Sequence, residues 1–504
     1  MAGTSFPVWT EEPSDGVTPR ERPPPDAMLS ALALGAAGAA LGIAGPWGAN
    51  ATLLLAALAV SGAHGSRRAR PGVGIERFAG YIGAAVFAVG FTITENTTLR
   101  LLDALAIATL LSLPLVRPAC AEIGSIRPVA LGLALLESAL HAAVGALLLL
   151  HERCAPSRRP DPRTGRVALA PILAGSGIAL VLALIFGSLL RASDAVFDDW
   201  VARRIDTEWL AERVATLVAV SILSAGLLHG WLARPLGDRS PFPAPDPVQL
   251  RAATVLIPLA TLVALFGGFV AVQAGYLFPE VPAAAEQLSA LARRGFFELV
   301  VVGGLALFVL LLADSCLRYA ARGVRRTFVL FAGALLVLVA AILASAMARL
   351  GLYIDRYGWT EQRLFASVFL LWTALALPWF GVTALRGEPR RFTAGALLGA
   401  LLLGVALHTV SPERVIVASH LDRPPAESSE PEREIDFAYL RTLGVGSIPA
   451  VAARWERIPA AERIALLANW EREAERERPT FAWTLARARA ERALEQLPEG
   501  VEGE

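Results

Sequence analysis

LFAGALLVLVAAILASAMARL (330–350), YIDRYGWTEQR (353–363) and LFASVFLLWTALALPWFGV (364–382) follow closely on one another in a chain of 504 residues. Each apolar run is about 20 residues long, enough as a helix to cross a hydrocarbon layer of roughly 30 Å. The segment between them holds four charges, Asp355, Arg356, Glu361 and Arg363, with two tyrosines and a tryptophan. That pattern reads as a reversal at a membrane surface. Gly358 is placed to end the first helix and Thr360 to cap the second, where Glu361 faces the positive end of the helix dipole. Tyr353, Tyr357 and Trp359 suit the aromatic belt of the interface. Asp355 and Arg356 are not needed by this account and stand as candidate functional groups.

The rest of the chain repeats the pattern. It is 55% hydrophobic and 18% charged, with mean hydropathy +0.52, so the expected fold class is all-α, a polytopic transmembrane helical bundle. Residues 1–26, rich in proline and acid, are expected to form a disordered tail, and no cleavable signal precedes the first span. Spans are expected near 28–45, 50–65, 77–94, 99–116, 167–190, 213–233, 252–276, 296–316, 327–349, 363–385 and 392–410, all in a membrane domain of 27–410. That is eleven, and a run at 128–150 would make twelve.

Charge chooses between the two counts, because arginines near span ends stay in the cytoplasm. Eleven spans and a cytoplasmic N-terminus give the inner loops Arg67, Arg68, Arg153, Arg158, Arg159, Arg322, Arg325, Arg326, Arg390 and Arg391. A further crossing at 128–150 inverts one half of the protein against its own arginines. That run is therefore expected to be an interfacial or re-entrant helix. The expected location is a bacterial inner membrane, with the lipid bilayer as the first partner.

A net charge of +1, with arginines scattered and lysine absent, leaves no concentrated basic face for nucleic acid. Cys120, Cys154 and Cys316 fall by cytoplasmic loops, where thiols stay reduced, and no pair is spaced as a metal clip. There is no HExxH, CxxC, phosphate-binding loop or GxSxG elbow. No cofactor or metal is expected, and no residue is assigned a catalytic role.

The outer loops carry the remaining candidates. In 191–212, Phe197, Val201, Ile205 and Trp209 recur every fourth residue, which fits a helix lying in the interface. Asp194, Asp198 and Asp199 beside that stripe form an acidic mouth. Gln273 lies about one turn inside the seventh span and Glu298 about one turn inside the eighth, with Arg294 four residues earlier on the same helical face. Ionisable groups at such depth usually have a partner or a task. Together with Asp355, Arg356 and Glu361 they make up a candidate outer polar cluster, whose plainer reading is interfacial anchoring and a packing ion pair. Asp103 and Asp314, near span ends, are expected to snorkel; Glu137 and His141 are spaced for a hydrogen bond; Asn96 opens an N-T-T sequon.

The order LLRASDAVFDDW, FVAVQAGYLF, ARRGFFELV, YGWTEQRLFASVFLLW, SPERVIVASHLDR and EIDFAYLRTLGVGSIPAV resembles an uncharacterised bacterial family of multispan inner-membrane proteins, a domain of unknown function of the DUF4153/DUF4173 type. The likeness runs from about residue 167 to about 455 and is strongest in RRGFFEL and YGWTEQR. It implies the fold and topology and names no substrate.

Beyond the last span the composition changes. Residues 411–433 read as a linker and 434–497 as a small helical domain, with Ile464, Leu467, Trp470, Phe481, Trp483 and Leu485 as its candidate core. An odd number of spans puts this domain outside the cytoplasm. The favoured function is a non-catalytic envelope sensor, scaffold or assembly component, with an envelope protein partner bound through this domain. A transporter or carrier is the alternative, although no internal repeat or matching pair of broken spans supports it. The third class is a membrane enzyme acting on a lipid-linked substrate, which would need the Asp194, Asp198 and Asp199 run as base or metal ligands.

Overall fold

The computed structural model describes residues 26–69, 78–115, 128–154, 206–232, 252–277, 296–317, 320–422, 435–474 and 480–497, and its elements among them are all helical. A chain this apolar must satisfy its backbone amides internally, which helices do within one segment. In order these are α1 (Asp26–Ala40), α2 (Ala49–Ala69), α3 (Ala79–Ala88), α4 (Gly90–Ile93), α5 (Thr97–Ser112), α6 (Pro128–Cys154), α7 (Thr207–Leu232), α8 (Ala252–Leu277) and α9 (Phe296–Cys316). Then come α10 (Arg322–Tyr357), α11 (Glu361–Val382), α12 (Pro389–Val410), α13 (Pro412–Leu421), α14 (Phe437–Thr442), α15 (Ile448–Ala452), α16 (Ala460–Ala474) and α17 (Leu485–Glu495). Six of the described helices are long and apolar enough to cross a membrane, and shorter apolar helices lie at Ala27–Ala40, Ala79–Ile93 and Val301–Cys316. The protein is thus built for a membrane.

Two cores divide the bundle. Leu34, Ala59, Tyr81, Leu110, Leu228 and Trp231 belong to one, shared by α1, α2, α3, α5 and α7. The other surrounds α10, whose Phe328, Leu335, Ile342 and Leu343 meet Leu310 of α9 and Leu370 and Phe380 of α11. At 36 residues α10 is about 54 Å long, well beyond the hydrocarbon thickness, so it projects from the bilayer. The span expected at 327–349 therefore continues to Tyr357, and the first half of the polar reversal is helix. Gly358 stops it at φ +78°, and the Thr360 side chain accepts from Arg363 N–H to start α11.

The run at 128–150, expected to be interfacial or re-entrant, lies within the single unbroken helix α6. It packs lengthwise and antiparallel on α7. His141 stacks against His229 with ring centroids 5.9 Å apart, and Gly145 lies opposite Gly226. A Cβ on Gly226 would collide with the carbonyls of His141 and Ala142, so glycine is what lets the two backbones touch. Without a hydrophobic drive between helices in lipid, such close packing is a main source of association. The His141 Nδ1–H donates to the backbone O of Glu137, 2.9 Å away, so the expected i, i+4 bond goes to the main chain.

Residues after the last span form a compact helical module. Its core includes Leu440, Ile448, Val451, Trp455, Leu466 and Trp470, and also Ile416, Val417 and Leu421 from α13. The expected linker thus begins with a helix that belongs to the module. Trp470 and Leu467 pack as expected, whereas Ile464, Phe481 and Trp483 are about half exposed.

Candidate functional site

Four turns of the bundle converge under this module. Backbone N–H groups of Ala49 and Asn50, in the α1–α2 turn, donate to the carbonyls of Trp483 (2.9 Å) and Phe481 (2.8 Å). At the α4–α5 turn, Thr484 Oγ donates to Glu95 Oε1 (2.7 Å), with Arg487 3.6 Å from the same oxygen. From the α10–α11 turn, Glu361 N–H donates to the Tyr439 hydroxyl (2.8 Å), and Trp359 O accepts from His420 Nε2–H (2.9 Å). That bond fixes the His420 tautomer, because a carbonyl can only accept. The α12–α13 turn is direct continuity of chain. Burial next to Glu361 pushes the Tyr439 phenol above its ordinary range.

The same end of the bundle joins its two halves. Leu99, Leu364 and Leu407 form a small apolar contact across the seam. Asn96 caps α5 through its side-chain oxygen while its amide donates to Glu361 Oε1 at 2.7 Å. Deeper along α5, Asp103 Oδ1 lies 2.8 Å from His408 Nε2 of α12, with side chains 1% and 10% exposed. Asp103 Oδ2 and His408 Nδ1 are buried with no hydrogen-bond partner among the described residues. Gly90 makes room for the pair, since a Cβ there would strike the Asp103 carboxylate and the His408 ring. Leaving a buried polar atom without a partner costs about 1–3 kcal/mol, so the packing around this pair has to offset that cost.

His408 also lines a cavity of about 420 Å³ between bundle and module. Ser411, between α12 and α13, and Glu413 and Arg414, in the first turn of α13, line it with Arg454 and Arg489 of the module. Ser411 sits at φ 58°, the only non-glycine residue with positive φ among those described, and its hydroxyl donates to Glu413 Oε2 at 3.1 Å. Strain of this kind persists where the surroundings hold it in place. Arg454 is taken by Asp422, with Nε–Oδ1 2.7 Å and Nη2–Oδ2 2.6 Å; that hydrogen bonding, with Arg457 adding to it, holds the Asp422 carboxyl below its usual range.

The candidates read from sequence fare unevenly. Glu361 lies at the centre of the network. Asp355 is exposed on the last turn of α10. Arg356 is on the same turn, Gln273 is near the end of α8 and Glu298 near the start of α9, and these three side chains lie outside the described residues, as do Asp194, Asp198, Asp199 and Arg294. Asp314, expected to snorkel, is instead paired with Arg325 at 2.6 Å at the opposite end of the bundle. Asn96, noticed as a sequon, works as a cap and a link to Glu361. The Asp103–His408 pair escaped the sequence because its members are 305 positions apart; a carboxylate two turns into a span and an imidazole one turn from the end of another were the available signals.

The family described as "Domain of unknown function (DUF4153)" matches residues 81–453. The chain belongs to that family. No curated protein and no solved structure matches it.

Proposed function

We propose that this member of the DUF4153 family is a non-catalytic, multi-pass component of a bacterial inner membrane, a sensor or assembly protein whose C-terminal module works as one unit with the bundle. The observation that carries this reading is the set of hydrogen bonds from the module to three separate bundle turns, above a cavity walled by both parts. A domain merely tethered to a membrane anchor has no need of such fastening. In this reading, occupancy of the cavity or of an envelope partner alters how the module sits on the turns below it.

The reading puts the module outside the cytoplasm, at the end opposite Arg67, Arg68, Arg325, Arg326, Arg390 and Arg391, in keeping with retention of arginines inside. Among the described residues the crossings in this reading are α1, α2, α3 with α4, and α5 to α12, with α6 among them; the span expected at 167–190 lies outside the described residues. Support comes from Pro128 lying beside Asp314, Arg325 and Pro389, and from the antiparallel course of α6 along α7. This puts Arg153 on the module's side. A membrane-impermeant thiol reagent reaching Glu152→Cys in intact cells is the expected result, and labelling only after permeabilisation returns 128–150 to a non-crossing role.

Complementation of a strain lacking the gene tests the function. Deletion of 435–504 is expected to abolish the phenotype while the bundle still reaches the membrane, and Gln273→Ala and Glu298→Ala are expected to keep it. The reverse outcome overturns the reading in favour of a carrier, for which the buried Asp103–His408 pair would be the natural protonatable site.

A further inference from the structure

The charges around the junction cavity are sorted by depth. Glu413 is only 4% exposed, packed against Gly446, and bonded to the Ser411 hydroxyl. A carboxylate withdrawn from water in this way calls for a positive partner. The cavity's arginines do not fill that role. Arg454 is committed to Asp422, and Arg414 and Arg489 are exposed at the rim, with no carboxylate holding either guanidinium among the described residues. On the floor, His408 brings a buried Nδ1 that has no hydrogen-bond partner among the described residues. The cavity thus has a negative, hydrogen-bonding interior and two unengaged guanidiniums at its mouth, in a volume of about 420 Å³. That is the size of a site for a small molecule.

We propose that this cavity binds a small zwitterionic ligand, its ammonium at Glu413 and its anionic group at Arg414 and Arg489. Guanidinium groups match carboxylate and phosphate oxygens in a fixed fork, and an ammonium adds a positive donor to a carboxylate that so far accepts from a neutral hydroxyl. Two sources share this chemistry. One is a free solute such as an amino acid or a phosphorylated amino alcohol; the other is an ethanolamine-phosphate lipid headgroup, which the position at the end of the spans would bring within reach. The inference rests on the reading of module and bundle as one binding unit, and it adds the class of ligand.

The test uses the full chain purified in a maltoside detergent, with thermal unfolding and binding followed by tryptophan fluorescence. Glycerophosphoethanolamine is the zwitterionic probe, and glycerol phosphate and ethanolamine are its half-molecules. The zwitterion is expected to stabilise the protein more than either half. Arg489→Ala, at an exposed position, should weaken it about tenfold, the worth of roughly one charge-assisted hydrogen bond. Glu413→Gln should weaken the zwitterion and ethanolamine and leave glycerol phosphate unchanged. Stabilisation by the soluble probe supports a free solute; stabilisation only in nanodiscs of phosphatidylethanolamine, and not phosphatidylglycerol, supports the headgroup. No shift in the wild type with the soluble probe or in either lipid overturns the proposal, as does equal binding by Glu413→Gln and Arg489→Ala. Loss of phenotype on deleting the module, alongside a cavity that binds none of these probes, would leave the function standing and remove only the ligand.

Discussion

Among the described residues an ion pair between neighbouring helices stands at each end of the bundle, and the two pairs are built on different principles. At the arginine end, Asp314 meets Arg325, whose side chain is 26% exposed. The guanidinium lies over the Phe328 ring (4.9 Å) and also reaches the carbonyl of Ala384. Solvent reaches that pair from the guanidinium side only, since the Asp314 side chain is 9% exposed. At the module end, Asp103 and His408 are withdrawn almost completely. One partner is a histidine, charged only when protonated, and each has an atom without a hydrogen-bond partner among the described residues. The first arrangement holds helices at a surface; the second keeps polar capacity unspent inside a seam.

Mutations sharpen this contrast. Asp103→Leu leaves His408 buried without its partner, and thermal unfolding of the purified protein should show a loss of about 3–5 kcal/mol. Asp103→Asn keeps the shape and should cost less. Next in size is Gly358→Ala. Its φ of +78° and the His420 ring 2.9 Å from the added Cβ predict a loss of about 1–3 kcal/mol, accompanied by protease access to the module. Asp314→Asn leaves Arg325, the partner that solvent reaches, and should cost about 1 kcal/mol or less; a loss equal to that of Asp103→Leu would erase the distinction between the two ends.

The smallest effect concerns pH. The Asp422 carboxyl is held below its unfolded value by Arg454 and Arg457. Its contribution is therefore fully present above the ordinary Asp range and is lost as pH falls through the depressed value. Wild type should lose its advantage over Asp422→Asn only in acid. An advantage that disappears on raising the pH instead would contradict the pairing.

The sequence reveals most about what the bilayer itself dictates. Apolar length and the residues that must end or cap a helix are local, so 252–276 and 296–316 match Ala252–Leu277 and Phe296–Cys316 within a residue, and Gly358 and Thr360 take their expected roles. Side-chain meetings between distant helices are not local. Asn96 finds Glu361 across 265 positions and Thr484 finds Glu95 across 389, and nothing in either neighbourhood announces the other. The module shows the same limit in another form: Trp455 and Trp470 face each other in its core, whereas the aromatic run at 481–483 contributes mostly backbone to the bundle turns.

Sidedness is the claim on which site and function both depend. With Cys120, Cys154 and Cys316 replaced by serine, single cysteines at Asp355, Glu471 and Arg390, all exposed positions, can be offered an impermeant maleimide in intact cells with the outer membrane opened. Asp355→Cys and Glu471→Cys should label at once and Arg390→Cys only after the inner membrane is permeabilised. Immediate labelling at 390 with protection at 355 and 471 would turn the protein over and place its cavity in the cytoplasm.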